Sequence, residues 1–230
     1  MALNDELRYE VRAIFKKTWT TRDGIVVPEP ADLLLGNDAV NLEATVLYAD
    51  MDGSTSLVDA YAPKFAAEVY KAYLHCAAKV IRSEDGVITA YDGDRIMGVF
   101  TGNFKNSNAV CAGLKIQWCV DEIINPAIRA QYPEKIYALK QTVGIDTGKL
   151  LVARTGVRGS NDLVWVGRAA NYAAKLTDLD EGFSTWITDS VYKKLNDGAK
   201  YSNGINMWEE RSWTKMGNMR VYRSNYRWPA

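Results

Sequence analysis

Histidine is almost missing from this chain: among 230 residues there is one, His75, set in a helical pattern with no motif around it, so imidazole-based acid–base or metal chemistry is not expected. The three cysteines, Cys76, Cys111 and Cys119, form no C-x-x-C pair, which argues against a disulfide scaffold or a zinc site and for a reducing, cytoplasmic setting. Excess charge is also lacking. Lys+Arg and Asp+Glu balance at 28 each, so nothing draws the chain to nucleic acid or to an anionic membrane, and neither partner is expected. No stretch approaches ~18 apolar residues, and Met1 to Arg8 carries acids where an export leader has a basic segment before an apolar one. Internal repeats and low-complexity tracts are absent as well. What remains is an ordinary globular composition, 47% hydrophobic and 24% charged, long enough for one well-packed core.

The apolar pattern divides the chain. Leu3, Leu7, Val11, Ile14 and Phe15 stand at helical spacing in an amphipathic N-terminal helix whose apolar face has either the core or a second subunit to pack on. Residues 20–41 hold Gly24, Pro28, Pro30 and Gly36 and read as a connector with short extended pieces. Residues 1–41 are therefore expected to be a helix and connector, and residues 42–230 the functional domain. The spacing then predicts a buried strand at 43–50, a long helix at 62–84 and a hairpin of 87–92 with 95–101 turning at Asp92-Gly93-Asp94. A second helix follows at 106–130, kinked or cut by Pro126. Strands are expected at 138–147, 149–156 and 162–167, a helix at 168–178, a strand at 184–188, a helix at 189–195 and a last strand pair before Tyr226. This order predicts an α+β fold: a ferredoxin-like βαββαβ core whose open antiparallel sheet is covered by helices.

Two aspartates stand out. Asp50 closes an apolar strand and leads into Met51-Asp52-Gly53-Ser54-Thr55, while Asp94 sits in the hairpin turn. A βαββ unit sets the first strand beside the hairpin, and two carboxylates at neighbouring strand ends repel unless they share a cation or a proton. Hard divalent cations are held in this way, by one or two carboxylates together with substrate phosphates. Gly53 permits close backbone approach, so amides of the following turn are suited to phosphate oxygens. Each aspartate alone also reads as a turn residue.

Four segments carry a wider likeness: Ala49-Asp50-Met51-Asp52-Gly53-Ser54-Thr55, Gly93-Asp94-Arg95-Ile96-Met97-Gly98-Val99-Phe100, Gly144-Ile145-Asp146-Thr147-Gly148, and Val166 to Leu176 with Asn171 and Lys175. In order and spacing the chain resembles the class III nucleotidyl cyclases over roughly residues 42–225. The resemblance implies that Asp50, Asp94 and the Met51 carbonyl bind metal, with two ions per site, Mn²⁺ or Mg²⁺. It implies that Asp52, Gly53, Ser54 and Thr55 surround the triphosphate and that Asn171 orients the ribose. It also implies a head-to-tail homodimer whose sites take the aspartates from one chain and the asparagine from the other. The two-ion arrangement is that of in-line displacement at phosphorus. Lys215, in Trp213-Thr214-Lys215-Met216-Gly217, lies near the family's triphosphate-binding lysine, and Asp146 reads as structural.

Departures from the family pattern carry information. Lys175 stands where the family has a transition-state arginine, exchanging a planar fork for a point charge, with Arg168 and Arg154 as possible helpers. The two positions at which purine cyclases read the base are Ala90 and Val164, and neither hydrogen-bonds a base edge. A purine placed there loses about 1–3 kcal/mol for each buried polar group left unpaired. Tyr91 beside Ala90 has a hydroxyl to offer, although strand parity turns neighbouring residues to opposite faces. The chain is most similar to the bacterial pyrimidine cyclases of antiphage defence, through Thr89 to Met97, Asn161 to Tyr172, and Arg95 after the second aspartate. That likeness implies UTP or CTP as substrate, UTP favoured, and a cyclic pyrimidine nucleotide that activates a separate effector. The alternatives are a purine cyclase with atypical base contacts and a degenerate, cyclase-like regulatory module.

Overall fold

A computed structural model describes residues 2–179 and 181–230. The elements in chain order begin with α1 (Leu3–Lys16), β1 (Thr20–Gly24), β2 (Asp38–Met51), α2 (Ser54–Ala60), α3 (Pro63–Ser83), β3 (Val87–Asp92) and β4 (Arg95–Phe100). Next come α4 (Lys105–Cys119), α5 (Asn125–Gln131), β5 (Gln141–Val157), β6 (Ser160–Val166), α6 (Arg168–Leu176), β7 (Thr185–Thr188) and α7 (Asp189–Tyr192). The chain closes with α8 (Asp197–Lys200), β8 (Tyr201–Ser202), β9 (Ile205–Asn206), β10 (Glu209–Trp213) and β11 (Met219–Ser224). The main sheet has the order β10-β11-β7-β5-β2-β4-β3, with β1 added parallel to β2 and β6 antiparallel to β5. Its middle, β5-β2-β4-β3, is antiparallel throughout and is the βαββαβ unit expected from the sequence.

β2 is the axis of the molecule, and its alternation builds two cores. Leu47, Ala49 and Met51 point into a large cluster with α3 and α4. Val40, Leu42, Ala44 and Val46 point the other way, into a cluster closed by Ala169, Ala170 and Ala173 of α6. The alanines let α6 approach the sheet closely. At Gly144 of β5 a β-carbon would stand 2.1 Å from the Ala173 carbonyl oxygen, so only glycine admits the helix there.

Two elements differ from the sequence expectation, and the helix cut at Pro126 follows it. Strands expected at 138–147 and 149–156 are one strand, β5, running through Gly148 because β2 is long enough to pair it from Ala39 opposite Ala153 to Met51 opposite Gln141. β2 itself starts at Asp38, so the division expected between residues 41 and 42 falls inside a strand. The helix at 106–130 is interrupted by a π turn at Val120–Ile124 just before Pro126, where a proline without an N–H cannot continue the regular ladder. α1 buries no residue; Asn37 holds its C-terminal end by donating to the Ile14 carbonyl at 2.9 Å and to the Lys17 carbonyl at 2.5 Å.

Gly144→Ala is expected to lower stability by about 2–4 kcal/mol, because the added methyl must push α6 off the sheet. Chemical denaturation checks this, and an unchanged unfolding midpoint would show that α6 is not seated on Gly144.

Candidate active site

Asp50 lies at the C-terminal end of β2, on the sheet face shared by Val46 and Tyr48. The pairing of Ala49 with Ile96 brings the β3–β4 turn, with Gly93 in the left-handed region at φ 62°, to the same sheet end. Asp94 therefore stands near Asp50, and the charges interact. Burial, and after it the charge of Asp94, push the Asp50 carboxyl up from 3.8 to about 6. Arg95 opposes the shift but makes no ion pair with Asp50; it bonds Asp92 at 2.9 Å and lies 5.2 Å from the centre of the Tyr48 ring.

Among the described residues no group of three His, Cys, Asp or Glu side chains is placed to hold a metal. The donor set is instead a half-buried pair of mutually repelling carboxylates. Such a pair fits a hard divalent cation whose remaining ligands come from substrate and water.

The turn after β2 is anchored to β5. Thr142 donates its hydroxyl to Asp52 at 2.9 Å, and the Asp52 amide donates to the Lys140 carbonyl at 3.0 Å. Gly53 then takes a left-handed φ of 70°, and Ser54 opens α2 with Thr55 exposed. Beneath this end, on the opposite sheet face, Gln141 pairs with Met51 and is held three ways. Its oxygen accepts from the buried Tyr73 hydroxyl at 3.4 Å, and its amide donates to Gln117 at 2.9 Å and to the Ser184 carbonyl at 3.3 Å. Burial, with the charges of Asp50, Asp52 and Asp94 behind it, holds the Tyr73 phenol well above its usual range.

A second group of residues rides on α6. Its buried alanines and Leu176 face the sheet, which leaves Asn171 and Lys175, one turn apart, exposed on the outer side. Neither side chain has a hydrogen bond or ion pair among the described residues. Arg168 is occupied: its guanidinium lies 3.4 Å from the fully buried Asp146 and 4.7 Å from the Tyr172 ring centre. Arg154 donates to Asn161 at 2.7 Å and to the Leu33 carbonyl at 3.2 Å. Neither arginine is therefore free in its own protomer to stand in for the arginine replaced by Lys175. Asp146 accepts from Thr188, and burial pushes its carboxyl up, which is a structural placement.

One protomer does not assemble all the residues singled out from the sequence. Asp50, Met51, Asp52, Gly53, Ser54, Thr55 and Asp94 share one sheet end. Lys215 is exposed in the turn after β10, with β11, β7 and β5 between its strand and β2. Ala90 pairs with Met97, which pairs with Tyr48, so these three form an apolar row on the Asp50 face. Tyr91 pairs with Ile96, whose side chain is in the α3–α4 core; it is thus turned to the other face and does not line the row. Val164, on β6 opposite Ala153, is separated from Ala90 by the width of the sheet. Sequence reading missed Tyr48, although its parity with Asp50 signals it, and missed Tyr73 and Gln141, whose polar roles are hidden inside apolar patterns.

No protein-family model matches the chain. It is 55% identical over 229 residues to a uridylate cyclase of Xanthomonas perforans and 50% identical over 230 residues to one of Burkholderia cepacia, with 99% of both chains covered each time. Among solved structures, the guanylyl cyclase Cya2 superposes with a TM-score of 0.70 at 20% identity, over 82% of this chain and 94% of that one. The adenylyl cyclase CyaB from P. aeruginosa gives 0.68 at 21% identity, over 81% and 95%. Through these relatives this chain belongs to the uridylate cyclase family and is a nucleotidyl cyclase, with the fold of the adenylyl and guanylyl cyclases.

Proposed function

We propose that the protein converts UTP to 3′,5′-cyclic UMP and pyrophosphate at two sites shared across a homodimer. The observation that carries the choice of base is the half-buried Ala90 with Tyr48 in the same row, both packed on the buried Met97 and the phenol ring lying under Arg95: an apolar side chain stands where a purine edge needs a polar partner. The relatives named uridylate cyclase support uracil over cytosine. The product acts as a messenger in antiphage defence by activating a separate effector. None of the described helices is long and apolar enough to cross a membrane, in keeping with a cytoplasmic source of such a messenger.

In the reaction the ribose 3′-hydroxyl gives up its proton to water and its oxygen forms a bond to the α-phosphorus, while the bond from that phosphorus to the bridging oxygen breaks and pyrophosphate leaves. Asp50, Asp94 and the Met51 carbonyl would hold two Mn²⁺ or Mg²⁺ ions, which would supply acidity at the 3′-hydroxyl and neutralise phosphate charge. Asn171 of the opposing chain holds the ribose, fixing the attack angle. Lys175 places a positive charge where the α-phosphate gains negative charge, and Lys215 with the backbone of Asp52 to Thr55 restrains the leaving phosphates. The exposure of Asn171 and Lys175, and their lack of side-chain partners among the described residues, support delivery to a second chain.

Incubation of the purified protein with Mn²⁺ and each of the four nucleoside triphosphates, with products identified by mass, is expected to yield cyclic UMP as the main product. Cyclic AMP or GMP as the main product would overturn the pyrimidine reading, and no cyclic product from any of them would overturn turnover itself. Asp50→Ala and Asp94→Ala should each reduce turnover to background.

Mixing inactive Asp50→Ala with inactive Asn171→Ala is expected to restore about a quarter of wild-type activity, because half of the random dimers then hold one intact site. No recovery after subunit exchange would place both residues in one chain's site.

Asp50 also costs stability when no metal is present. Its folded carboxyl titrates near 6 and its unfolded one near 3.8, so the metal-free fold loses stability as pH rises between these values. Asp50→Asn should melt higher than wild type in chelator at neutral pH by about 1 kcal/mol, roughly 2–4 °C, after discounting for the residue's partial exposure. At pH 4 the difference should vanish, and a lower melting point for the variant at neutral pH would contradict the assignment.

A further inference from the structure

Asn171 and Lys175 lie on α6 and Lys215 on a distant hairpin, yet side chains of α6 reach that hairpin. The turn between β10 and β11 carries Lys215, with Gly217 and Asn218 in the left-handed region at φ 68° and 60°. Trp213 and Met219 are the strand pair that closes it. Both are met by α6: Tyr172 lies edge-on to the Trp213 ring at 5.9 Å between centres, and Arg168 donates to the Met219 sulfur at 3.7 Å. The Arg168 guanidinium also covers the Tyr172 ring at 4.7 Å, so two side chains one helical turn apart close on the hairpin together. Asn171 and Lys175 stand on the neighbouring stripe of the helix, three residues beyond Arg168 and Tyr172 respectively.

Arg168 is itself held by Asp146 of β5. The Asp146 carboxyl is fully buried; Thr188 donates to one oxygen, and the other, with no hydrogen bond among the described residues, lies 3.4 Å from the Arg168 Nε. Moving the guanidinium away would strand a buried charge, which keeps Arg168 where it is. Half of the arginine side chain remains exposed, so it fills no core. Its contacts run instead along the line from Asp146 to the Lys215 hairpin.

We infer that Arg168 is a positioning residue: seated on Asp146 and laid over Tyr172, it clasps the Lys215 hairpin to α6, so that Asn171, Lys175 and Lys215 reach the opposing chain as one rigid set. In this role it acts through its neighbours and not on substrate. In the proposed reaction Asn171 and Lys175 serve the ribose and the α-phosphate, and Lys215 the leaving phosphates. A relative displacement of such groups by about 1 Å costs up to about a hundredfold in rate. β10 is an edge strand of the main sheet, so contact with α6 supplies the second side on which its turn is fixed.

The effect on turnover rests on the proposed shared site, whereas the clasp does not, and the full-length protein tests the two separately. In Arg168→Ala, amide hydrogen exchange is expected to quicken by about tenfold or more in residues 168–176 and 213–219 and to stay unchanged around Asp50 and Asp94. Unchanged exchange at 213–219 would overturn the clasp whatever the enzyme's substrate. With Mn²⁺ and UTP, turnover of this variant should fall by about tenfold or more. Tyr172→Ala should match it, and Tyr172→Phe, which keeps the ring, should resemble wild type. Adding Asp146→Asn to Arg168→Ala removes the stranded charge and should raise the melting temperature above that of the single variant while turnover stays low. Recovery of turnover along with stability would overturn positioning in favour of a purely structural role. Mixed with inactive Asp50→Ala, Arg168→Ala should reach about a quarter of wild-type activity, because the Asp50→Ala chain supplies an intact α6 and hairpin; mixed with Asn171→Ala it should gain nothing. Equal activity in these two mixtures, where Asp50→Ala with Asn171→Ala does recover, would overturn the placement of the defect on the α6 side.

Discussion

The antiparallel pairing of β2 with β5, from Ala39 opposite Ala153 to Met51 opposite Gln141, is the constraint on which the rest depends. It sets the register that puts Leu47, Ala49 and Met51 into the α3–α4 core and leaves the alternate residues for α6. A slip of one residue would exchange the two faces and turn Asp50 into an apolar core. The same pairing stacks Gln141 under Met51, so the strand end that carries the acidic group is supported by Tyr73, Gln117 and Ser184. Position and rigidity of the aspartates thus come from one ladder.

The site is built from repulsion as much as from attraction. Asp50 and Asp94 are held together by backbone geometry, at the end of a strand and in a tight turn, rather than by any bond between them. Their mutual charge and partial burial leave Asp50 harder to ionise than a free carboxyl. This arrangement trades some stability of the fold for a place that takes a divalent cation in the proposed reaction. On α6 the logic is complementary: Asn171 and Lys175 are displayed on the exposed side of a helix fixed through alanines, with no side-chain hydrogen bond or ion pair among the described residues.

The two faces of β2 also separate chemistry from support. The face bearing Asp50, Tyr48 and Ala90 meets substrate in the proposed reaction, while the opposite face carries Tyr73 and Gln141. A change on the supporting face reaches the aspartates through strand and side-chain packing.

Much of this was legible in the amino-acid sequence alone. The βαββαβ order followed from alternating and helical apolar patterns, and the candidate aspartates, Asn171 and Lys175 were picked out by four motifs, with Ala90 and Val164 placed by their offsets from them, because these features are local in the chain. Gly148 read as a turn, although a long partner strand carries β5 straight through it. Tyr91 stood next to Ala90 in sequence but faces the other way, since strand neighbours alternate. The Gln141 support was decided only by tertiary structure. It depends on Tyr73 and Gln117, 68 and 24 positions away in the chain, being brought to Gln141 by sheet register and helix packing, which no local pattern encodes.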